Sequence, residues 1–161
     1  MPQLKTEIHQ DMKTLMREVF FNASSVAVHM DTVPMFLFFT EEKEFIVMPI
    51  TPEMPKETIK EAVKQTAVNL NAKAVVYLDE AWMLKVNKNQ KYNPEKDGPI
   101  KNHPDRVKNL LVAIRDNHNN TFMITGEITN REGGVRIVGE PTETKEGVVN
   151  IIPRWNENFE A

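Results

Sequence analysis

The sequence predicts a single-domain α+β protein, with two helices packed on a mostly antiparallel sheet of about seven strands. Two stretches with apolar residues three and four positions apart predict the helices, and short runs of β-branched and aromatic residues predict the strands. The chain has 161 residues, 40% of them hydrophobic and 27% charged, which is enough apolar material for one core. The expected order is α-β-β-β-α-β-β-β-β over residues 1–161, with residues 153–161 as a loose tail.

The N-terminal segment predicts an amphipathic helix that ends near Asn22. Apolar residues form one stripe along it, made of Leu4, Ile8, Met12, Leu15, Met16, Val19 and Phe20. Such a stripe most often packs against a core, although a membrane-surface helix or a partner-binding helix has the same pattern.

A period of two over residues 25–50 predicts a three-stranded antiparallel meander. Its strands are expected at residues 26–30, 35–40 and 45–50. Pro34 donates no amide hydrogen bond, so we expect it at a turn or a strand start. The second of these strands contains three large apolar side chains, those of Phe36, Phe38 and Phe39, so we expect it to be a central strand of the sheet.

The positions of proline and of turn-forming residues predict the boundaries of the remaining elements. Residues 51–55 contain two prolines and predict the start of the second helix, because proline is tolerated in a first turn. Asn71 is the expected left-handed cap of that helix. A strand follows at 74–86, then a long polar loop at 87–104. Three further strands are expected at residues 107–115, 121–129 and 135–139. After a polar turn over 141–147, residues 148–152 are a candidate for an additional short edge strand.

Composition excludes several classes of function. The net charge is −3 and the sequence pI is about 5.8, which argues against a nucleic-acid module that depends on many phosphate contacts. The absence of cysteine excludes thiolate catalysis and zinc–thiolate sites and fits a reducing cytoplasm. The longest apolar run, residues 33–39, is too short to cross a membrane. We expect a cytoplasmic protein without a membrane anchor or cofactor.

The most distinctive chemistry lies in the strand over residues 74–86, where Asp79 and Glu80 interrupt an apolar pattern. In an extended chain Glu80 shares a face with Trp82, and Asp79 lies on the other face. An unpaired buried carboxylate costs several kcal/mol, so Glu80 must be protonated, paired with a cation or open to water.

Two readings of Glu80 remain open. In the first, apolar surroundings raise its pKa and it acts as a general acid or base, with His103 or Asp105 as a second proton-transfer group. In the second, it forms an ion pair with Arg106 that holds the long loop against the sheet. A regular hairpin, however, places Glu80 opposite residue 112, about 20 Å from Arg106. That ion pair therefore requires the strand to end soon after Trp82.

Other motifs give no catalytic or metal site. The glycine-rich phosphate loop that accompanies an acidic strand in nucleotide hydrolases is absent. The four histidines, His9, His29, His103 and His118, lack the spacing of a zinc site. No serine lies in a nucleophile-elbow motif. A basic stretch in the loop could follow an anionic strand, but acidic residues dilute it, and a solvated loop is the simpler interpretation.

The run Glu80-Ala81-Trp82-Met83, followed by His103-Pro104-Asp105-Arg106, resembles a family of bacterial and phage proteins that has no established activity. The resemblance implies a shared α+β fold and marks Glu80, Trp82, Pro104, Asp105 and Arg106 as candidates without assigning them roles. We expect Glu80, Trp82, Asp105 and Arg106 to form a binding or structural polar cluster.

These observations favour a non-enzymatic binding or interaction protein, either phage-encoded or a host accessory protein. The alternative is a small hydrolase that uses Glu80 with His103 or Asp105. The expected partner is another protein or, through an exposed strand edge, a second copy of the chain.

Overall fold

The structure is a computed structural model that describes residues 4–27, 32–40, 45–51, 53–84, 98, 106–130, 135–144 and 151–155. The helices are α1 (Leu4–Ala27) and α2 (Lys56–Leu70). The strands are β1 (Met35–Phe39), β2 (Phe45–Pro49), β3 (Ala74–Leu84), β4 (Arg106–Asp116), β5 (Thr121–Asn130), β6 (Arg136–Val138) and β7 (Thr142–Thr144).

All seven strands belong to one antiparallel sheet. Its order is β2-β1-β3-β4-β5-β6, and β7 pairs with β5 beside this path. Two helices on a seven-stranded antiparallel sheet confirm the predicted α+β class. The long central hairpin pairs β3 with β4 from Ala74 opposite Asp116 to Leu84 opposite Arg106. Neither helix in the described part of the chain has the length and apolar character that a membrane span requires.

The two helices cover opposite faces of the sheet. On one face, α1 packs Met16 and Phe20 into a cluster that includes Val76 and Leu78 of β3. On the other face, α2 packs its buried residues into a cluster that includes Val75 and Tyr77. We call these the α1 side and the α2 side. Because successive strand residues point to opposite faces, one apolar strand supplies both clusters.

The position of Gly126 explains how closely α1 approaches β5. A Cβ atom on this residue would lie 2.7 Å from Cζ of Phe20 and 2.8 Å from Cγ1 of Val138. These distances are too short for any side chain, so only glycine lets the Phe20 ring lie against the strand at this level.

The first helix is longer than predicted. It continues to Ala27, so the predicted end near Asn22 and the predicted start of a strand at residue 26 are both wrong. Ala23 and Ala27 are buried and extend the stripe of Met16 and Phe20, whereas Val26 is 51% exposed on the outer side. Burial of this face therefore outweighs the β-propensity of Val26. Residues 28–31 lie outside the described residues, as do the side chains of Leu4, Ile8 and Met12.

The middle of the chain follows the prediction closely. Pro34 directly precedes β1, and β1 lies between β2 and β3 in the sheet. Asn71 caps α2 in the left-handed region with φ 50° and ψ 51°. His118 lies in the turn between β4 and β5, where its backbone N–H donates to Oδ1 of the buried Asp116 at 2.9 Å.

The C-terminal part differs from the prediction in two places. The expected polar turn over residues 141–147 contains β7, and its Glu143 accepts two hydrogen bonds from Arg17 of α1. Ile152 is not in a strand; its carbonyl accepts a hydrogen bond from Nε of Arg115 at 3.0 Å. Trp155 is buried on the α2 side. The described residues do not include 145–150 and 156–161, nor residues 87–104 of the expected long loop apart from Gly98.

Candidate functional site

The predicted alternation along β3 determines where its charged residues lie. Val76 and Leu78 belong to the α1-side cluster, and Tyr77 belongs to the α2-side cluster. Continuing the same period places Glu80 and Trp82 on the α1 side and Asp79 on the α2 side. The two adjacent carboxylates therefore face different environments.

Glu80 is held by groups from three other segments of the chain. Its side chain is only 4% exposed. Its Oε1 atom contacts Nη2 of Arg136 on β6 and lies 3.6 Å from Nζ of Lys108 on β4. Its Oε2 atom accepts a hydrogen bond from the backbone N–H of Thr32, just before β1. One carboxylate thus joins the connection after α1 to β3, β4 and β6, and we call this arrangement the Glu80 node.

The partners of Glu80 keep it ionised. Burial alone raises the pKa of a carboxyl group, but the hydrogen bonds from Thr32 and Arg136, and the charge of Arg136, lower the pKa of Glu80 below its usual value of 4.5. The general acid–base interpretation of Glu80 expected a raised pKa, and that expected direction of the pKa shift is wrong. A carboxylate in this state is a weak base and is already bonded through both oxygens.

Asp79 has a different environment on the α2 side. Its Oδ2 atom accepts a hydrogen bond from the Tyr77 hydroxyl at 2.6 Å, and its Oδ1 atom accepts one from the backbone N–H of Glu80 at 2.7 Å. Burial is the main reason that the pKa of Asp79 is raised, and the nearby Glu80 charge adds to it, although these two hydrogen bonds act in the opposite direction. Burial together with this bond also raises the pKa of Tyr77, so the phenol stays protonated.

Trp82 lies at the rim of the sheet rather than in the core. The residue is 41% exposed. The Arg106 guanidinium carbon is 4.6 Å from the indole ring centroid, and Nζ of Lys108 is 5.4 Å from it. Both distances are within the range of cation–π attraction. We call Trp82, Arg106 and Lys108 the indole–cation patch.

The register of the central hairpin differs from the regular one considered for the sequence. Glu80 lies opposite Leu110, two positions from the expected residue 112, and β3 continues beyond Trp82 to Leu84. Arg106 lies opposite Leu84, about 13 Å along the strand from Glu80. The cations that pair with Glu80 are Arg136 and Lys108, whereas Arg106 contacts Trp82. His103 and Asp105, the other candidate residues, lie outside the described residues.

Sequence reasoning did not identify Arg136 as a member of the site. The signal for it was a single charge within the apolar run Val135-Arg136-Ile137-Val138, the same kind of interruption that singled out Glu80. Its side chain is only 12% exposed, as expected for a charge that forms an ion pair largely shielded from solvent.

The described residues contain no group of three or more His, Asp or Glu side chains that could hold a metal ion. No family model, curated protein or solved structure matches this chain. The functional argument therefore depends on the geometry of the site itself.

Proposed function

We propose that the protein is a non-enzymatic binding or interaction protein and that its indole–cation patch contacts a protein partner. The single observation that carries this proposal is the exposure of Trp82 beneath two cations. Large aromatic and Arg side chains contribute most of the binding energy at protein interfaces, where one partner buries them on contact.

The distribution of charge indicates the chemistry of the partner. Residues 82–108 contain seven Lys and Arg against three Asp and Glu, whereas the rest of the chain contains thirteen against twenty. Positive charge is therefore concentrated in the stretch of sequence that contains the patch, within an otherwise acidic chain. An acidic protein segment would complement it, since a carboxylate pairs with the Arg106 fork while an apolar side chain covers the indole.

The state of Glu80 supports a binding role over the alternative of a small hydrolase. A general acid or base at neutral pH needs a raised pKa and access to substrate. Glu80 has a lowered pKa, and its side chain is 4% exposed. The Glu80 node is better explained as a structural support that fixes β3 beneath the patch.

We also propose a cytoplasmic location, because a chain without cysteine fits a reducing compartment. The resemblance of the Glu80–Met83 and His103–Arg106 motifs to bacterial and phage proteins supports an accessory protein of a bacterium or its phage.

Selection of peptides from a random display library tests the proposed contact. We expect the wild-type protein to enrich peptides that combine Asp or Glu with an apolar residue. Trp82→Ala and Arg106→Glu are each expected to weaken the selected peptides by about tenfold or more, because each removes a central contact.

Phe21→Ala is the matched control, since Phe21 is an aromatic residue on α1 with 73% exposure and lies outside the patch. Binding by this variant should equal that of the wild type. Enrichment of neutral peptides, or equal binding by wild type and Trp82→Ala, would contradict the proposal. Tighter binding of single-stranded nucleic acid than of any acidic peptide at the patch would also contradict it.

A further inference from the structure

The outer strand β2 carries large apolar side chains on both faces of the sheet. Phe45, Ile46 and Val47 are 55%, 48% and 45% exposed. Phe45 and Val47 lie on the α1 side, because Val47 pairs with Leu37 of that cluster, and Ile46 lies on the α2 side. The strand contains no charged residue. Edge strands usually carry charges that prevent pairing with other chains, so β2 has an unusual composition for its position.

The backbone hydrogen bonds around β1 show which groups of β2 point away from the sheet. Ile50 N–H donates to the Pro34 carbonyl at 3.0 Å, so this pair is bonded across β1 and β2. Bonded pairs alternate along an antiparallel ladder, and Ile46 and Met48 therefore bond to β1. Phe39 agrees with this alternation, because its carbonyl points away from β2 and accepts a hydrogen bond from the Lys73 N–H on the β3 side of β1.

It follows that Phe45, Val47 and Pro49 direct their backbone groups toward the outer edge of the sheet, where none of the described strands pairs with β2. Phe45 and Val47 each present an N–H and a C=O there, while Pro49 presents only a C=O. This is the position at which an edge strand tolerates proline, because the missing N–H is not needed within the sheet.

We propose that a second copy of this chain pairs with β2 in antiparallel orientation about a two-fold axis at Val47. Val47 then exchanges two backbone hydrogen bonds with its own counterpart, and Phe45 donates to the Pro49 carbonyl of the other copy in both directions. The missing N–H of Pro49 falls at the two ends of the pairing. The two sheets become one continuous sheet, and the interface is self-complementary as a two-fold requires.

Charge favours the second copy in this antiparallel orientation. The residues that precede β2 are Glu41-Glu42-Lys43-Glu44. A parallel pair would bring two copies of this acidic segment side by side, and like charges would oppose the association. In the antiparallel pair the two acidic segments adjoin opposite ends of the pairing, about one strand length apart, and only the apolar residues of β2 face each other.

The length of β2 predicts the strength of the association. Five residues span about 17 Å, and we expect a contact of this length to bury less than the roughly 800 Å² per partner of a standard stable interface. We therefore expect a weak, concentration-dependent dimer rather than an obligate one. The contact is separate from the indole–cation patch, which remains accessible in both copies.

Sedimentation equilibrium tests this dimer over protein concentrations from about 10 μM to about 1 mM, the range of a weak interface. The wild type should shift from monomer to dimer within this range. Val47→Lys should remain monomeric, because it places two ammonium groups against each other at the axis. Phe21→Lys makes a matched apolar-to-charged change on exposed α1 and should dimerise like the wild type, as should Trp82→Ala.

Amide hydrogen exchange of the wild-type protein provides a second measurement that needs no variant. The amides of Phe45 and Val47 should exchange about tenfold more slowly at the concentrations that give dimer, while those of Ile46 and Met48 stay protected throughout. A monomer at every concentration would overturn the proposal. A dimer without this alternating protection, or one that Val47→Lys leaves intact, would overturn it as well.

Discussion

Asp79 and Glu80 are neighbours on β3, yet Glu80 meets a guanidinium on the α1 side and Asp79 meets a phenol on the α2 side. Burial raises the pKa of both carboxyl groups. The net shift has opposite signs, because hydrogen bonds from Thr32 and Arg136 outweigh burial at Glu80, whereas the hydrogen bonds to Asp79 do not outweigh its burial. The balance between burial and hydrogen-bond donors therefore decides which of the two carboxylates stays ionised to the lower pH.

The largest effect on stability is expected when the cation that pairs with Glu80 on the α1 side is removed. Arg136→Met leaves the nearly buried Glu80 carboxylate with Thr32 and the more distant Lys108, and we expect it to lower the free energy of unfolding by about 3 kcal/mol. Urea unfolding measures this change.

The double variant Glu80→Gln with Arg136→Met removes both charges and should recover a large part of that loss. Arg17→Met is a matched control, because Arg17 pairs with Glu143 at the exposed surface and its removal should change stability little. A similar loss of stability for Arg136→Met and Arg17→Met would show that the Glu80 node contributes no more to stability than an exposed ion pair.

A smaller effect is expected in the pH dependence of the free energy of unfolding. Glu80 and Asp79 should contribute to it with opposite signs. The folded pKa of Glu80 is lowered, so its stabilisation is complete above pH 4.5 and is lost as the pH falls through the folded pKa. The folded pKa of Asp79 is raised, so stability is gained as the pH falls through that pKa toward 3.8.

Urea unfolding between about pH 3 and about pH 7 separates the two contributions. Glu80→Gln should flatten the loss of stability at the acid end, and Asp79→Asn should remove the gain above pH 3.8. If both substitutions change the pH profile in the same direction, the contrast between the two faces is wrong.

The smallest effect is expected for Trp82. We predict that Trp82→Ala lowers the free energy of unfolding by about 1 kcal/mol, because a 41% exposed indole loses little burial and two exposed cation–π contacts. A loss of 3–5 kcal/mol in thermal or urea unfolding would be typical of a core tryptophan and would contradict its place at the rim.

Local patterns in the sequence predict much of this molecule. The alternation along β3 predicts that Glu80 and Trp82 share a face, because the side-chain period of a strand is two. The hairpin register is offset by two residues from the regular one, yet an even offset leaves every side chain on its expected face. Asn71 and Pro34 were identified by backbone preferences that depend on a single residue.

Contacts between distant segments account for what the sequence does not predict. Arg136 lies 56 residues from Glu80, and no periodicity relates a three-residue strand to β3. The end of α1 depends on the space that Ala27 fills against the rest of the fold, not on the β-propensity of Val26. Strand β7 has a polar sequence and is held by pairing with β5 and by the Arg17–Glu143 contact.

The internal neutralisation of Glu80 also affects how the protein attracts other molecules. Since Arg136 compensates this carboxylate inside the protein, Glu80 takes little away from the positive field of Arg106 and Lys108 beside Trp82. Salt at physiological strength screens such a field within about 8 Å. Electrostatic attraction toward Trp82 is therefore short-ranged and acts only close to contact.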